Sequence, residues 1–287
     1  MAWIKRNGLM AFAVLVVIYM LLPIAVIIAF SFNDPAGRYN FTWVGFTLEH
    51  WKNAFGIPEL NDALLKSIEL AALATLIATI IGTLLALALV RYEFFGRRAA
   101  NFLIVIPMAT PEVVIGAALL SMFLVYGIEL GFVTLLIAHV MFCISFVVVV
   151  VRSRLIGFDR RLEEAARDLG ADARTTLRTV TLPLLAPGLL AAAMLSFALS
   201  LDDFVISNFN SGTTVTFPLY IFGAAQRGIP VEVNVLATMI FGVTVLAMIA
   251  VLIQQTRAEK LAAVRPDDDD DLGFSSVPAT KPAGGMG

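Results

Sequence analysis

Long apolar stretches alternate along the chain with short segments in which polar and charged residues collect. A helix needs about 20 consecutive apolar residues to cross the hydrocarbon core of a bilayer. Six stretches approach or exceed this length, and they predict membrane spans over residues 8–32, 68–90, 101–128, 130–151, 182–206 and 233–256. The pattern therefore predicts an all-α integral membrane protein.

The composition supports this interpretation, because 59% of the 287 residues are hydrophobic and only 15% are charged. Soluble domains contain about 45–50% apolar and about 25% charged residues. The first span follows Lys5 and Arg6, but its apolar stretch is about twice the length of a signal-peptide core, so we expect it to be uncleaved. The single cysteine, Cys143, excludes an internal disulfide framework and is expected to be buried.

Lysine and arginine residues are distributed unevenly between the two sides of the predicted membrane. Sixteen of the 20 lie in the N-terminus, in the loops 91–101 and 152–181, or after residue 256. The opposite side holds only Arg38, Lys52, Lys66 and Arg227. Because short loops rich in lysine and arginine stay in the cytoplasm, we expect both termini and the loop 152–181 to be cytoplasmic.

Two segments are expected on the outer face, and a third at the C-terminus is expected to be unstructured. Residues 33–61 carry tryptophan and phenylalanine, which are typical of the membrane interface, and residues 207–232 predict a short amphipathic helix. Residues 257–287 contain five consecutive aspartates and then many proline, glycine and serine residues. This composition predicts a disordered acidic tail, with an interaction site as the alternative for the aspartates.

The loop 152–181 is the most charged stretch between two spans. Before Gly170 its apolar residues recur at spacings of three and four, which predicts a helix with one apolar face made of Leu155, Phe158, Leu162, Ala165 or Ala166, and Leu169. Glycine costs about 1 kcal/mol in a helix interior and is favoured at a turn, so we expect a turn at Gly170. A second helix is expected from Asp172 toward Pro183. A basic helix lying on anionic lipid would explain the same pattern.

The spacing in this loop resembles the EAA loop of type I ABC importer permeases. The run E-A-A at 164–166 is followed by three residues, a glycine at 170, nine residues, and V-T-L-P at 180–183. Valine stands at 180 where the family usually has isoleucine. The resemblance implies a coupling loop that docks on a separate ATP-hydrolysing subunit, carried by Glu164, Ala165, Ala166, Gly170, Leu182 and Pro183.

Further motifs resemble the second permease of the spermidine/putrescine importer group, and together they cover roughly residues 10–255. They include VGFTLEHW, RYEFFGR, PEVVIG, LSLDDFVIS and IPVEVNVLATMI. The resemblance implies a type I ABC permease fold, a second homologous permease, a dimer of ATP-binding cassette subunits and a periplasmic or lipid-anchored solute-binding protein. It implies a bacterial inner-membrane location and a small cationic solute. Permeases for sulfate, ferric iron or organophosphates share the EAA loop and stay open as alternatives.

Three carboxylates lie within or at the end of predicted spans. A carboxylate at the bilayer centre costs about 2.5–3.5 kcal/mol and usually faces a cavity or a partner. Glu112 follows Pro111, with Pro107 one turn earlier, so the helix is expected to bend there along a pathway. Asp202 and Asp203 end the fifth span. We expect the three acids to line a route for a cation, with a structural hydrogen bond for Glu112 and helix capping for the aspartates as alternatives.

Other polar residues and missing motifs narrow the function further. His139 has no carboxylate nearby in sequence and is expected to be packed and neutral, and Glu69 is expected to pair with Lys66 at the surface. The chain has no G-x-x-x-x-G-K-[ST] phosphate loop, H-E-x-x-H or G-x-S-x-G motif. We therefore expect a transport subunit, not an enzyme, without its own cofactor, metal or nucleic-acid partner, and with ATP and magnesium held by the partner ATPase. A stand-alone channel, a secondary carrier and a membrane scaffold are the remaining alternatives, and none of them needs an EAA loop.

Overall fold

The computed structural model describes residues 2–157 and 159–263, which form helices joined by loops and one isolated β-bridge between Asn33 and Phe46. The helices, in chain order, are α1 (Ala2–Phe30), α2 (Glu49–Lys52), α3 (Pro58–Arg91), α4 (Arg97–Ala109), α5 (Glu112–Val125), α6 (Phe132–Ile156), α7 (Arg161–Asp168), α8 (Ala173–Thr176), α9 (Leu182–Asp202), α10 (Val205–Asn210), α11 (Phe217–Arg227) and α12 (Val231–Ala263). Leu177–Thr181 form a π-helical segment between α8 and α9.

The core of the chain is built from α3, α6 and α9, and α3 packs most extensively against α6. Small buried residues recur every four positions along α3, at Ala74, Ala78, Gly82 and Ala86. Without large side chains between them, two membrane helices can approach closely. At Gly82 the approach is so close that an added Cβ would lie 2.6 Å from Val147 Cγ1 of α6.

Replacing Gly82 with leucine is therefore expected to destabilise the chain, because overpacking a tight contact costs about 1–3 kcal/mol. The measurement is the thermal unfolding midpoint of the protein purified in detergent. Gly242→Leu on α12 is the matched control, since an added Cβ there has no neighbour within 4 Å. An equal drop in the midpoint for both variants would contradict the close α3–α6 packing.

Four helical stretches are long and apolar enough to cross a membrane: Gly8–Phe30, Pro58–Arg91, Phe132–Ile156 and Ala173–Asp202. The predicted third span, residues 101–128, is not one straight helix, because α4 and α5 meet at 110°. Thr110 has extended backbone angles (φ −87°, ψ 134°), as the residue before a proline prefers, and this ends α4. The described residues thus contain four candidate spans, or five if the bent pair counts as one.

The last two predicted spans also differ from the structure at their ends. The predicted span over residues 182–206 is interrupted, since α9 ends at Asp202 and α10 begins at Val205. The predicted span 233–256 lies within α12, whose described apolar part, Val231–Leu246, is shorter than the other spans. α12 continues to Ala263, past the point where the sequence predicted disorder. The aspartate run and the rest of the predicted tail, residues 264–287, lie outside the described residues.

The two segments predicted for the outer face are folded against the ends of the helices. Phe32 stacks on Phe46 and on Trp51, with ring centroids 5.6 and 5.1 Å apart. The predicted amphipathic helix is present as α11. Both segments are therefore ordered. Aromatic stacking stabilises the first of them, which connects α1 to α3.

Candidate functional site

The loop between α6 and α9 folds as the sequence predicts, into two short helices separated by a turn. α7 ends at Asp168, and Gly170 follows with a φ of +89°, a left-handed conformation that favours glycine. Asp172 caps α8 by accepting a hydrogen bond from the backbone N–H of Thr175 at 2.8 Å. Hydrogen bonds from the side chain and backbone of Thr175 lower the pKa of the Asp172 carboxyl below its usual value.

The apolar face predicted for this loop is largely uncovered. Leu155 at the end of α6 is buried, but Leu162 is 49% exposed and Leu169 is 90% exposed. Glu164 and Ala165 are exposed beside them, and Phe158 lies outside the described residues. Two leucines, a small residue and a carboxylate are thus exposed together on this loop.

The neighbouring Glu163 lies outside the EAA motif and has a different environment, which no local pattern in the sequence indicates. Its Oε1 atom lies 2.7 Å from Nη2 of Arg91 at the end of α3. The same oxygen accepts a hydrogen bond from the Thr181 hydroxyl, also at 2.7 Å. Both side chains of the Glu163–Arg91 pair are nearly buried, with 12% and 13% exposure. The Glu163 side chain therefore points toward the membrane helices, whereas the Glu164 side chain is exposed.

The three predicted carboxylates converge where two helical stretches are interrupted. Glu112 lies in the first turn of α5, directly after the break at Pro111, and Asp202 and Asp203 lie at the break between α9 and α10. Glu112 is close enough to both aspartates to interact with them electrostatically. No lysine or arginine among the described residues forms an ion pair with any of the three. The arrangement concentrates negative charge at two helix breaks.

Packing between α5 and α10 brings these breaks together. Gly116 of α5 lies against the ring of Phe209, and a Cβ added at Gly116 would be 2.7 Å from that ring. The side-chain amide of Asn210 donates to the Gly116 carbonyl at 3.3 Å and to the Ile206 carbonyl at 3.0 Å. The close approach of α5 and α10 therefore depends on Gly116, the last residue of the PEVVIG motif, and the motif alone does not reveal this role.

Asp203 differs from the other two acids because it also has a structural role. It is 8% exposed and accepts hydrogen bonds from the backbone N–H groups of Ile206 and Ser207 at the start of α10. The capping alternative is thus realised at Asp203. Asp202 and Glu112 are exposed in the single chain. These two carboxylates are therefore accessible from outside the single chain.

His139 lies beside this cap in the core. It is 2% exposed, and its ring nitrogens lie 2.8 Å from Ser200 Oγ and 3.1 Å from Ser207 Oγ. Nε2 is also 3.5 Å from Asp203 Oδ2. The sequence correctly predicts a packed histidine but misses the carboxylate, which the fold brings from another helix. By contrast, the predicted surface pair of Glu69 and Lys66 is confirmed at 2.8 Å.

A cavity of about 1190 Å³ lies at the opposite end of α3 from Arg91. Both predicted outer segments and the first turns of α3 line it, with charged and histidine side chains from Arg38, His50, Glu59, Asp62, Lys66, Arg227 and Glu232. His50 Nδ1 and Glu232 Oε1 pair across it at 3.1 Å. Within residues 2–157 and 159–263, no group of three histidine, cysteine, aspartate or glutamate residues could hold a metal ion.

The chain is similar to known proteins over most of its length. The family model described as "Binding-protein-dependent transport system inner membrane component" matches residues 78–258. The spermidine/putrescine transport system permease protein PotC of Haemophilus influenzae is 41% identical over 251 residues, covering 87% of this chain and 96% of that protein. The putrescine transport system permease protein PotI of Escherichia coli is 34% identical, covering 84% of this chain and 88% of that protein.

Solved structures resemble the fold at much lower identity. A bacterial ABC transporter involved in the import of the acidic polysaccharide alginate has a TM-score of 0.62 at 19% identity, covering 88% of this chain and 96% of that chain. An amino acid ABC transporter has a TM-score of 0.55 at 20% identity, covering 74% of this chain and 100% of that chain. These likenesses concern the fold alone.

Proposed function

The chain belongs to the family of binding-protein-dependent transport system inner membrane components, and from this premise we propose that it forms part of the membrane pathway for a polyamine such as spermidine or putrescine. It is a permease subunit of an ABC importer and not an enzyme. ATP hydrolysis belongs to a separate ATPase subunit, which binds ATP and magnesium. The chain itself needs no cofactor.

The convergence of Glu112, Asp202 and Asp203 is the observation that carries the polyamine assignment. Ammonium groups lose water as they enter a membrane pathway, and carboxylates compensate for that loss. Both relatives described above are named for polyamine transport. A negatively charged pathway repels sulfate and organophosphates, so the charge favours a cation over these solutes.

The same proposal includes six spans and cytoplasmic termini. α12 together with the bent α4–α5 pair brings the four long apolar helices to six crossings. The uneven distribution of lysine and arginine supports a cytoplasmic position for the loop that contains α7. This orientation directs the large cavity at the start of α3 to the outside of a bacterial inner membrane.

Three partners complete the importer in this proposal. The exposed strip of Leu162 and Leu169 meets an ATPase subunit, one copy for each of two permeases. A solute-binding protein docks at the outer cavity, where both outer segments meet. Helix α1 is uncovered in the single chain, since its most apolar stretch is 0% buried, and its surface is available to lipid and to the second permease.

Transport then follows by alternating access. Closure of the ATPase dimer on ATP moves α7, and the helices open outward to receive the solute. Hydrolysis restores the inward-facing state. Because coupling between sites is reciprocal, a loaded binding protein must in turn favour closure of the ATPase dimer.

The proposal is tested by ATP hydrolysis in the complete complex reconstituted in liposomes. Binding protein loaded with spermidine or putrescine is expected to raise hydrolysis by about fivefold or more, the lower range of allosteric coupling. Binding protein without solute, or offered sulfate or ferric iron, is the control. Stimulation by one of those ions and not by polyamines would show that the ion, and not a polyamine, is the transported solute. Uptake by the chain without an ATPase would indicate a carrier or channel.

A further inference from the structure

The position of α7 relative to the membrane helices depends on polar contacts. Leu162 in α7 and Leu169 directly after it are exposed, so neither attaches the helix to the core. Arg160, just before α7, donates from Nη2 to the Val90 carbonyl of α3 at 3.0 Å. Glu163, inside α7, binds Arg91 and Thr181. Of these contacts, those of Glu163 are the shorter ones and the better shielded from water.

A single oxygen of Glu163 joins three elements. Its Oε1 accepts from Arg91 Nη2 and from Thr181 Oγ1, each at 2.7 Å. Arg91 is the last residue of α3, and Thr181 is the last residue before α9. The carboxylate therefore ties α7 to the near ends of two core helices at once.

The far ends of these two helices reach the regions assigned to solute. The first turns of α3 line the large cavity through Glu59 and Asp62. α9 ends at Asp202, beside the break that carries the other carboxylates. If α7 moves, its contacts through Glu163 shift α3 and α9, and these helices carry the movement to the large cavity and to the break at Asp202.

Thr181 reaches Glu163 from a π-helical turn. A π turn contains one residue more than an α turn, which changes the direction of the side chains that follow, and such turns are frequent at functional sites. Thr181 is 3% exposed, and its hydroxyl also lies 3.5 Å from the Thr176 carbonyl. The irregular turn thus places a buried hydroxyl at the carboxylate and offers a point where α9 can adjust.

We propose that Glu163 is a positioning residue that transmits the movement of α7 to α3 and α9 during the ATP cycle. This inference rests on the proposed function as an ATP-driven importer. Successive residues on a helix point about 100° apart. Glu163 therefore faces the membrane helices, whereas Glu164, on a different face of α7, is exposed and faces the ATPase.

The experiment measures nucleotide-driven opening in the complete complex, without requiring any particular solute. Thr213 is exposed and lines the large cavity, so a Thr213→Cys variant reports its accessibility to a maleimide. The native Cys143 is 0% exposed and stays protected. With Glu163 intact, ATP plus vanadate is expected to change the labelling rate by about tenfold.

Glu163→Gln is expected to reduce this response to less than about twofold while the ATPase subunit stays bound and hydrolyses ATP, because the transmitted coupling is lost. Arg91→Gln should have the same effect. The exchanged pair Glu163→Arg with Arg91→Glu should recover at least half of the response, which a general folding defect would not allow. Glu93→Gln is the matched control, since its side chain is 95% exposed at the same end of α3.

Three results would overturn the inference. The first is a full nucleotide response in Glu163→Gln, and the second is no recovery in the exchanged pair. The third is loss of the ATPase subunit from the Glu163→Gln complex, which would show that Glu163 is needed for assembly. Failure of the proposed function would give a different result from failure of this inference. In that case the complex with Glu163 intact shows no response to nucleotide, and the inference that rests on it falls too.

Discussion

Replacing Glu164 with lysine is expected to abolish uptake while the chain stays folded in the membrane. The backbone N–H of Glu164 donates to the Arg160 carbonyl at 3.1 Å, and its side chain is exposed on α7, so a change of side chain should leave the fold intact. Reversing a charge at a docking surface costs several kcal/mol, which corresponds to about a 100-fold loss or more. Uptake of labelled spermidine into proteoliposomes, with the amount of co-purified ATPase, measures the effect.

Two further variants show whether this loss arises at the docking surface. Glu93→Lys adds the same charge change at an exposed position outside α7 and should keep uptake within about twofold of the unmodified complex. Glu164→Asp keeps the charge and should recover part of the uptake. Full transport with Glu164→Lys would show that this carboxylate does not contact the ATPase.

The second large effect is expected from removing the two exposed carboxylates of the proposed pathway together. The double variant Glu112→Gln with Asp202→Asn should lower polyamine uptake by about 100-fold. The cost of an uncompensated charge in the membrane, about 2.5–3.5 kcal/mol, sets this size. ATP hydrolysis without solute should persist, because neither residue touches the coupling loop. The measurement is the initial uptake rate as a function of spermidine concentration.

The comparison variants follow from the structure. Glu69→Gln removes a surface carboxylate paired with Lys66 and should leave uptake nearly unchanged. Asp203→Asn is expected to lower the yield of folded protein as well as uptake, since Asp203 caps α10. Unchanged uptake in the double variant would place the solute route elsewhere in the complex.

Several features could be predicted because they depend on neighbouring residues. The turn at Gly170 follows from the cost of glycine in a helix and from its tolerance of positive φ, and the structure has a φ of +89° there. The break at Pro111 follows from the missing N–H and the restricted preceding residue. The angle of 110° at that break could not be predicted. It depends on what α5 packs against, including α10 far along the chain.

The two glutamates of α7 illustrate the limit most clearly. They are chemically identical and adjacent, and a motif directs attention to Glu164. Glu163 acquires its role from Arg91, which is 72 positions away in sequence, and from Thr181. The same applies to His139, whose partners Ser200 and Ser207 are 61 and 68 positions away. No local sequence pattern predicts partners at such distances along the chain.

The sequence alone determined the helical class, most of the long apolar helices and the fold of the loop 152–181, because apolar transfer and backbone preference act residue by residue. It also supplied the acids Glu112, Asp202 and Asp203. Only the tertiary structure decided that these acids converge, that Asp203 caps a helix, and that Glu163 joins α7 to α3 and α9. Those outcomes require many distant side chains to pack at once, and their free energy belongs to the set of contacts and not to any one segment.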